Sequence, residues 1–174
     1  MSIHQLNVCG SAQMLRALRG QLEKAEAHAK TLGYDPGNLL LARLAPDMHS
    51  LAKQIQFVCT QAREVISRLG GKPLPTLQPP SDMDEARALI DQTLEYLTTS
   101  EAEEIDAGAS RHVVIELTGG LAFEMKGDEY ATNWATPQFY FHLITAYCIL
   151  RHNGIPLGKA DYVPHMFAWI RKDG

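Results

Sequence analysis

Between Met48 and Leu69 the apolar residues Met48, Leu51, Ile55, Val58, Ala62, Val65 and Leu69 step strictly by three and four, and Ala52, Cys59 and Ile66 widen the stripe on one side. A stripe of that period runs along one face of an α-helix and is buried well only against other helices. The spacing is that of a bundle seam, with Pro46 suited to the first turn and Gly70-Gly71 to the exit. The chain around it therefore reads as an all-α bundle.

Three more long helices fit that frame. From Ile3 to Leu32 the residues Leu6, Met14, Leu15, Leu18, Leu22, Ala25, Ala29 and Leu32 recur mostly at helical intervals, with Gly33 as the stop. Gly10 and Gly20 each weaken this helix by about 1 kcal/mol relative to Ala, so packing must hold it. A turn at Asp35 to Asn38 and a helical fragment from Leu39 to Leu44 lead to the second helix. Four prolines between Lys72 and Pro80 exclude regular structure and predict a stiff, extended connection. Ser81, followed by Asp84 and Glu85, is a helix-start signature in which the Ser81 hydroxyl accepts a backbone N–H; the third helix runs from there to about Leu97.

Ser100 to Asp106 adds one helical turn, and His112 to Leu117 and Leu121 to Met125 read as a small β-hairpin turned by Gly119-Gly120. Asp128 can cap a short helix through Trp134, after which Thr136-Pro137 either caps the fourth long helix afresh or kinks a continuous one. That helix, Pro137 to Gly154, is apolar on nearly every side, predicts the innermost position, and ends in a left-handed cap at Asn153-Gly154. Met166, Phe167, Trp169 and Ile170 gather apolar area in the tail 155–174, which must dock on its own bundle or on a partner.

The length of 174 residues suits a single domain spanning 1–174. With 16 Lys+Arg against 20 Asp+Glu, a net charge of -4 and no basic run, nucleic acid is excluded as a partner. There is no secretory leader pattern and no stretch near the ~20 apolar residues of a membrane span, so the expectation is a soluble cytoplasmic protein. Cys9, Cys59 and Cys148 are odd in number and far apart, and Cys59 and Cys148 lie in apolar helical patterns, as reduced core cysteines do.

The site candidates lie on a polar seam of the fourth helix, where Gln138, His142, Thr145 and His152 share one side. His142, in an apolar stretch, is expected to be neutral and to need a partner for each ring nitrogen: a metal, or an ordinary hydrogen-bond group. His49, on the flank of the second-helix stripe, can meet it across a bundle, and Gln138, one turn before His142, stands where a third ligand would be needed. His152 and Arg151 suit the negative end of the helix. Tyr140 and Tyr147 are either packing residues or hydrogen-bond donors. His112 begins a strand, and His4, His28 and His165 have no acidic or histidine neighbours at ligand spacing, so none adds to a site. No phosphate loop, nucleophile elbow, HExxH or CxxC occurs.

The stretches APDMHSLAKQIQF, FYFHLITAYCILRHNG and IPLGKADY carry a resemblance to the DinB/YfiT-like superfamily of bacterial four-helix proteins, and within it to a family classified only as a domain of unknown function. The resemblance covers almost the whole chain. It implies an up-down-down-up bundle with a long crossover between the second and third helices, and frequent homodimers. It also implies a place for a divalent metal, nickel or zinc: His49 matches the second-helix histidine of metal-binding members and His142 the later of two on the fourth helix, while Gln138 replaces the earlier. Some members of the superfamily are metal-assisted transferases or isomerases that use low-molecular-weight thiols. Carried over by fold analogy, that activity makes His49 and His142 metal ligands, with Gln138 or water completing the shell, and Tyr147 a catalytic proton donor. The seam residues Gln138, Thr145 and His152 are the candidate substrate contacts, orienting a ligand in an apolar pocket. A metal-free small-molecule binder and a dimeric structural protein are the alternatives.

Overall fold

The computed structural model describes residues 2–171. Four long helices, α1 (Gly10–Leu32), α2 (Leu51–Gly70), α3 (Met83–Thr98) and α4 (Thr136–His152), share one hydrophobic cluster. α2 packs on α3 and α4, and α1 packs on the same two helices from the other side.

Cross-helix bonds fix the directions. Cys59 meets Leu89, Arg63 meets Thr93, and the Lys72 ammonium donates to the Thr99 carbonyl, so numbers rise together and α2 and α3 are parallel. Arg19 pairs with Asp91 and Glu26 with Arg87, which makes α1 antiparallel to α3. Gln54 meets His142 while Arg68 lies over Tyr130, so α2 and α4 are antiparallel. The result is up-down-down-up, with residues 71–82 as the crossover that two parallel neighbours require. Gly71 leaves α2 in the left-handed conformation, φ 72°, that the exit needs.

Several helix ends differ from the sequence expectation. α2 begins at Leu51, not near Pro46: Met48 closes a turn onto Ala45, Ser50 is extended, and the Leu51 N–H goes back to the Ala42 carbonyl at 2.9 Å. Met48 and His49 therefore precede the helix. α3 is capped by Asp82, whose carboxylate accepts the Glu85 N–H at 2.7 Å. The Ser81 hydroxyl and N–H both turn to the Glu85 carboxylate instead, a reciprocal arrangement one residue later than the sequence suggested. Asp128 is likewise inside its short helix, Gly127–Tyr130, and Lys126 occupies the cap position.

From Gly127 the chain stays helical to His152, passing through a π-helical turn at Ala131–Ala135 before α4. Pro137 has no N–H to give, and the wide turn just before it accommodates the missing bond without a break. A second π turn, His4–Cys9, leads into α1. The hairpin pairs β1 (His112–Glu116) with β2 (Ala122–Lys126), and Gly119 and Gly120 both carry positive φ in its turn. It lies at the C-terminal end of α2, where Arg68 donates to the Val114 carbonyl.

α4 is not the innermost helix. α2 buries 13 of its 20 residues and α4 only 6 of its 17, with Phe141 56% and Ile144 45% exposed. Beyond α4, Gln21 and Lys24 of α1 hold Asp161 in the short helix Lys159–Tyr162. The turn that follows, Pro164–Trp169, leaves Met166, Phe167 and Trp169 exposed; residues 172–174 of the tail lie outside the described residues. Among the described residues no helix is long and apolar enough to cross a membrane.

Candidate functional site

His142 is half-buried on α4, against α2. Its Nδ1 lies 2.8 Å from the Gln54 side-chain oxygen, and the Gln54 amide nitrogen donates to the His49 carbonyl at 3.3 Å. That second bond fixes which end of the amide faces the ring. The network thus assigns the proton to Nδ1 and leaves Nε2 of His142 with a lone pair. Phe57 packs on the ring at 4.7 Å and Phe141 meets it edge-on at 5.3 Å. Burial pushes the His142 pKa down to about 4, and the nearby charge of His49 adds to the shift, so the ring is neutral near pH 7.

His49 reaches the same neighbourhood from the segment before α2, with its ring 5.3 Å from Phe57, but it is exposed. Gln138 is half-buried one turn from His142. The rest of the predicted seam does not join them: the Thr145 hydroxyl donates to the Phe141 carbonyl at 2.7 Å, and His152 is exposed at the helix end. Two imidazoles and neutral amides do not make the three-ligand protein set of a catalytic zinc, and an amide is a poor substitute for the missing one. Among the described residues no three His, Cys, Asp or Glu side chains gather where they could hold a metal. The donor set does not fit a resident catalytic metal.

Tyr147 sits on another side of α4 and does open onto a cavity. Ile144, Tyr147 and Cys148 of α4, with Lys159 and Tyr162 beyond it, line an apolar groove of about 280 Å³. The two tyrosine rings meet edge-on at 5.8 Å. Burial, followed by the neighbouring Tyr140, raises the Tyr162 pKa, and burial raises that of Tyr140, so both phenols stay protonated as donors. Lys159 has no ion-pair partner among the described residues.

Sequence reasoning missed Gln54, Lys159 and Tyr162. Gln54 carried a usable signal: it is a polar residue flanking the α2 stripe, and it is 1% exposed. Lys159 and Tyr162 lie in the IPLGKADY stretch, but nothing in their spacing ties them to α4; the fold of the tail brings them there.

A sequence profile for a domain of unknown function, DUF1993, matches residues 3–163. The chain belongs to this family. The DUF1993 chain also resembles the crystal structure of a DinB family member protein from Shewanella denitrificans, with a TM-score of 0.82 and 34% identity over 92% of this chain and 90% of that one. Its fold is thus DinB-like, as the motifs implied. No curated protein matches it.

Proposed function

We propose that this DUF1993 protein binds a small amphipathic molecule, without a metal, in the groove between α4 and the tail. The observation that carries the reading is the convergence of Tyr147, Tyr162, Cys148 and Lys159 on an apolar cavity. Apolar walls with a few placed polar groups are the usual make-up of such sites. The lysine suits a carboxylate, the walls an aromatic or branched aliphatic body. Binding of 2-naphthoate, followed by calorimetry, tests this: Lys159→Ala and Tyr147→Ala should each weaken it roughly tenfold, about 1.4 kcal/mol. Heat of binding untouched by either substitution would sink the reading. A metal-assisted, thiol-dependent transferase is less well supported, since kinship of fold does not transmit activity.

Self-association is the second reading, favoured by the exposed Phe141 and Ile144. A homodimer joined there should sediment as a dimer and fall to a monomer on Ile144→Asp. A monomeric parent protein would end it. A cytoplasmic location belongs to the same proposal, supported by three free cysteines.

A further inference from the structure

The first turn of the molecule holds a cluster that the groove does not involve. His4–Cys9 is π-helical, bonded from residue i to i+5, as the Gly10 N–H to the Gln5 carbonyl shows. At 3.6 residues per turn, side chains five apart diverge by about 140°. The wider turn brings the fifth residue back over the first, and the Cys9 Sγ stands 3.7 Å from His4 Nδ1. Asp106, from the short helix Ala102–Ala107, accepts the His4 backbone N–H at 2.9 Å. That bond is the main cause holding the Asp106 carboxyl below its usual range, and it ties the turn to the bundle.

Cys9 and His4 open on a cavity of about 270 Å³, with Arg16 of α1 and Leu94, Leu97 and Thr98 of α3 in its walls. Arg16 has no ion-pair partner among the described residues. The other thiols are differently placed. Cys59 is fully buried, and burial pushes it up to about 12; Cys148 lines the apolar groove.

We propose that Cys9 is a reactive thiol, activated by His4, that exchanges with low-molecular-weight disulfides carrying a carboxylate. His4 Nδ1 takes the proton of the Cys9 thiol, and the thiolate attacks one sulfur of the disulfide. The reagent's S–S bond breaks as the Cys9 mixed disulfide forms, and the second sulfur leaves as a thiolate that recovers the proton from His4. Cys9 is oxidised, the incoming disulfide is reduced, and a free thiol reverses the step. Arg16 faces the carboxylate.

The native full chain is mixed with DTNB, an aromatic disulfide bearing carboxylates, and release of its coloured thiolate is followed. One thiol should react at least about tenfold faster than any other. Cys9→Ser should abolish that phase, Cys148→Ser should leave it, and His4→Gln should slow it about tenfold or more. Arg16→Gln should slow DTNB several-fold but leave uncharged dipyridyl disulfide unaffected. A fast phase that survives Cys9→Ser, or His4→Gln protein that reacts at the parent rate, overturns the proposal. Peptide mapping of the first cysteine labelled in the unaltered protein needs no variant: Cys9 upholds the proposal and Cys148 refutes it.

Discussion

α2 and α4 are the two most apolar rods in the sequence, and the fold treats them differently. α2 keeps its apolar residues in one strict stripe and buries it, with its polar residues working at the flanks: Arg63 on Thr93, Arg68 on Glu64, Gln54 on His142. α4 is apolar on nearly every side but its narrow polar seam, and the bundle covers only part of it, leaving Phe141 and Ile144 outward. A stripe tells a helix which way to face. A uniformly apolar surface does not, and what the core leaves over becomes a surface for something else.

That contrast can be broken by substitution. On α2, Ile55→Ala removes a side chain with no exposure and should cost about 2–5 kcal/mol of unfolding free energy in denaturant titrations. An effect below about 1 kcal/mol would mean that α2 is not the rod the fold is built on. Next in size, Gln54→Leu strips His142 Nδ1 of its acceptor and should cost about 1–2 kcal/mol, while the paired change with His142→Leu should recover part of the loss.

Acid gives a smaller effect of defined sign. The His142 pKa is lowered in the folded state to about 4, so between about pH 6.5 and pH 4 the unfolded chain binds a proton that the folded one refuses. Stability should fall as pH drops through that window. Replacing His142 by Gln should flatten the fall by on the order of 1 kcal/mol, allowing for the half-exposed ring, in melting curves taken at several pH values. Smallest of all, Phe141→Ser on the outer face of α4 should change monomer stability by less than about 0.5 kcal/mol. A large loss there would show that α4 is buried after all, against another molecule.

Much of this architecture was written locally. The i, i+3, i+4 stripe from Leu51 to Leu69, the prolines after Lys72, the glycine stops at Gly33 and Gly71 and the diglycine of the hairpin each act over a few residues, and each is where the spacing put it. The misplaced ends have local competitors as well. Ser81 and Asp82 both offer an oxygen one position apart, and the carboxylate took the cap. Met48 extends the stripe on paper, but the proline turn at residues 46–48 and the return bond from Leu51 to Ala42 start the helix later.

The candidate sites were legible only in part, because they depend on contacts across the chain. His142 and His49 both pack on Phe57, but His49 does so from the segment before α2 and is exposed, and the Thr145 hydroxyl goes to its own helix. The groove beside Tyr147 exists because Gln21 and Lys24 draw the tail back over α4. Cys9 and His4 look unrelated at helical spacing, since the π turn that joins them leaves no mark in the apolar pattern.

The parallel course of α2 and α3 has one more consequence. Because residues 71–82 run the length of the bundle without secondary structure, the exposed stretch from Pro73 to Thr76 is the natural place for a protease to enter. A chain cut there would become two fragments, each contributing two of the long rods to the common interior. The largest helix contacts, α2 on α4, α2 on α3 and α1 on α3, all join one half to the other, so the molecule is continuous in covalent terms but bipartite in its cohesion.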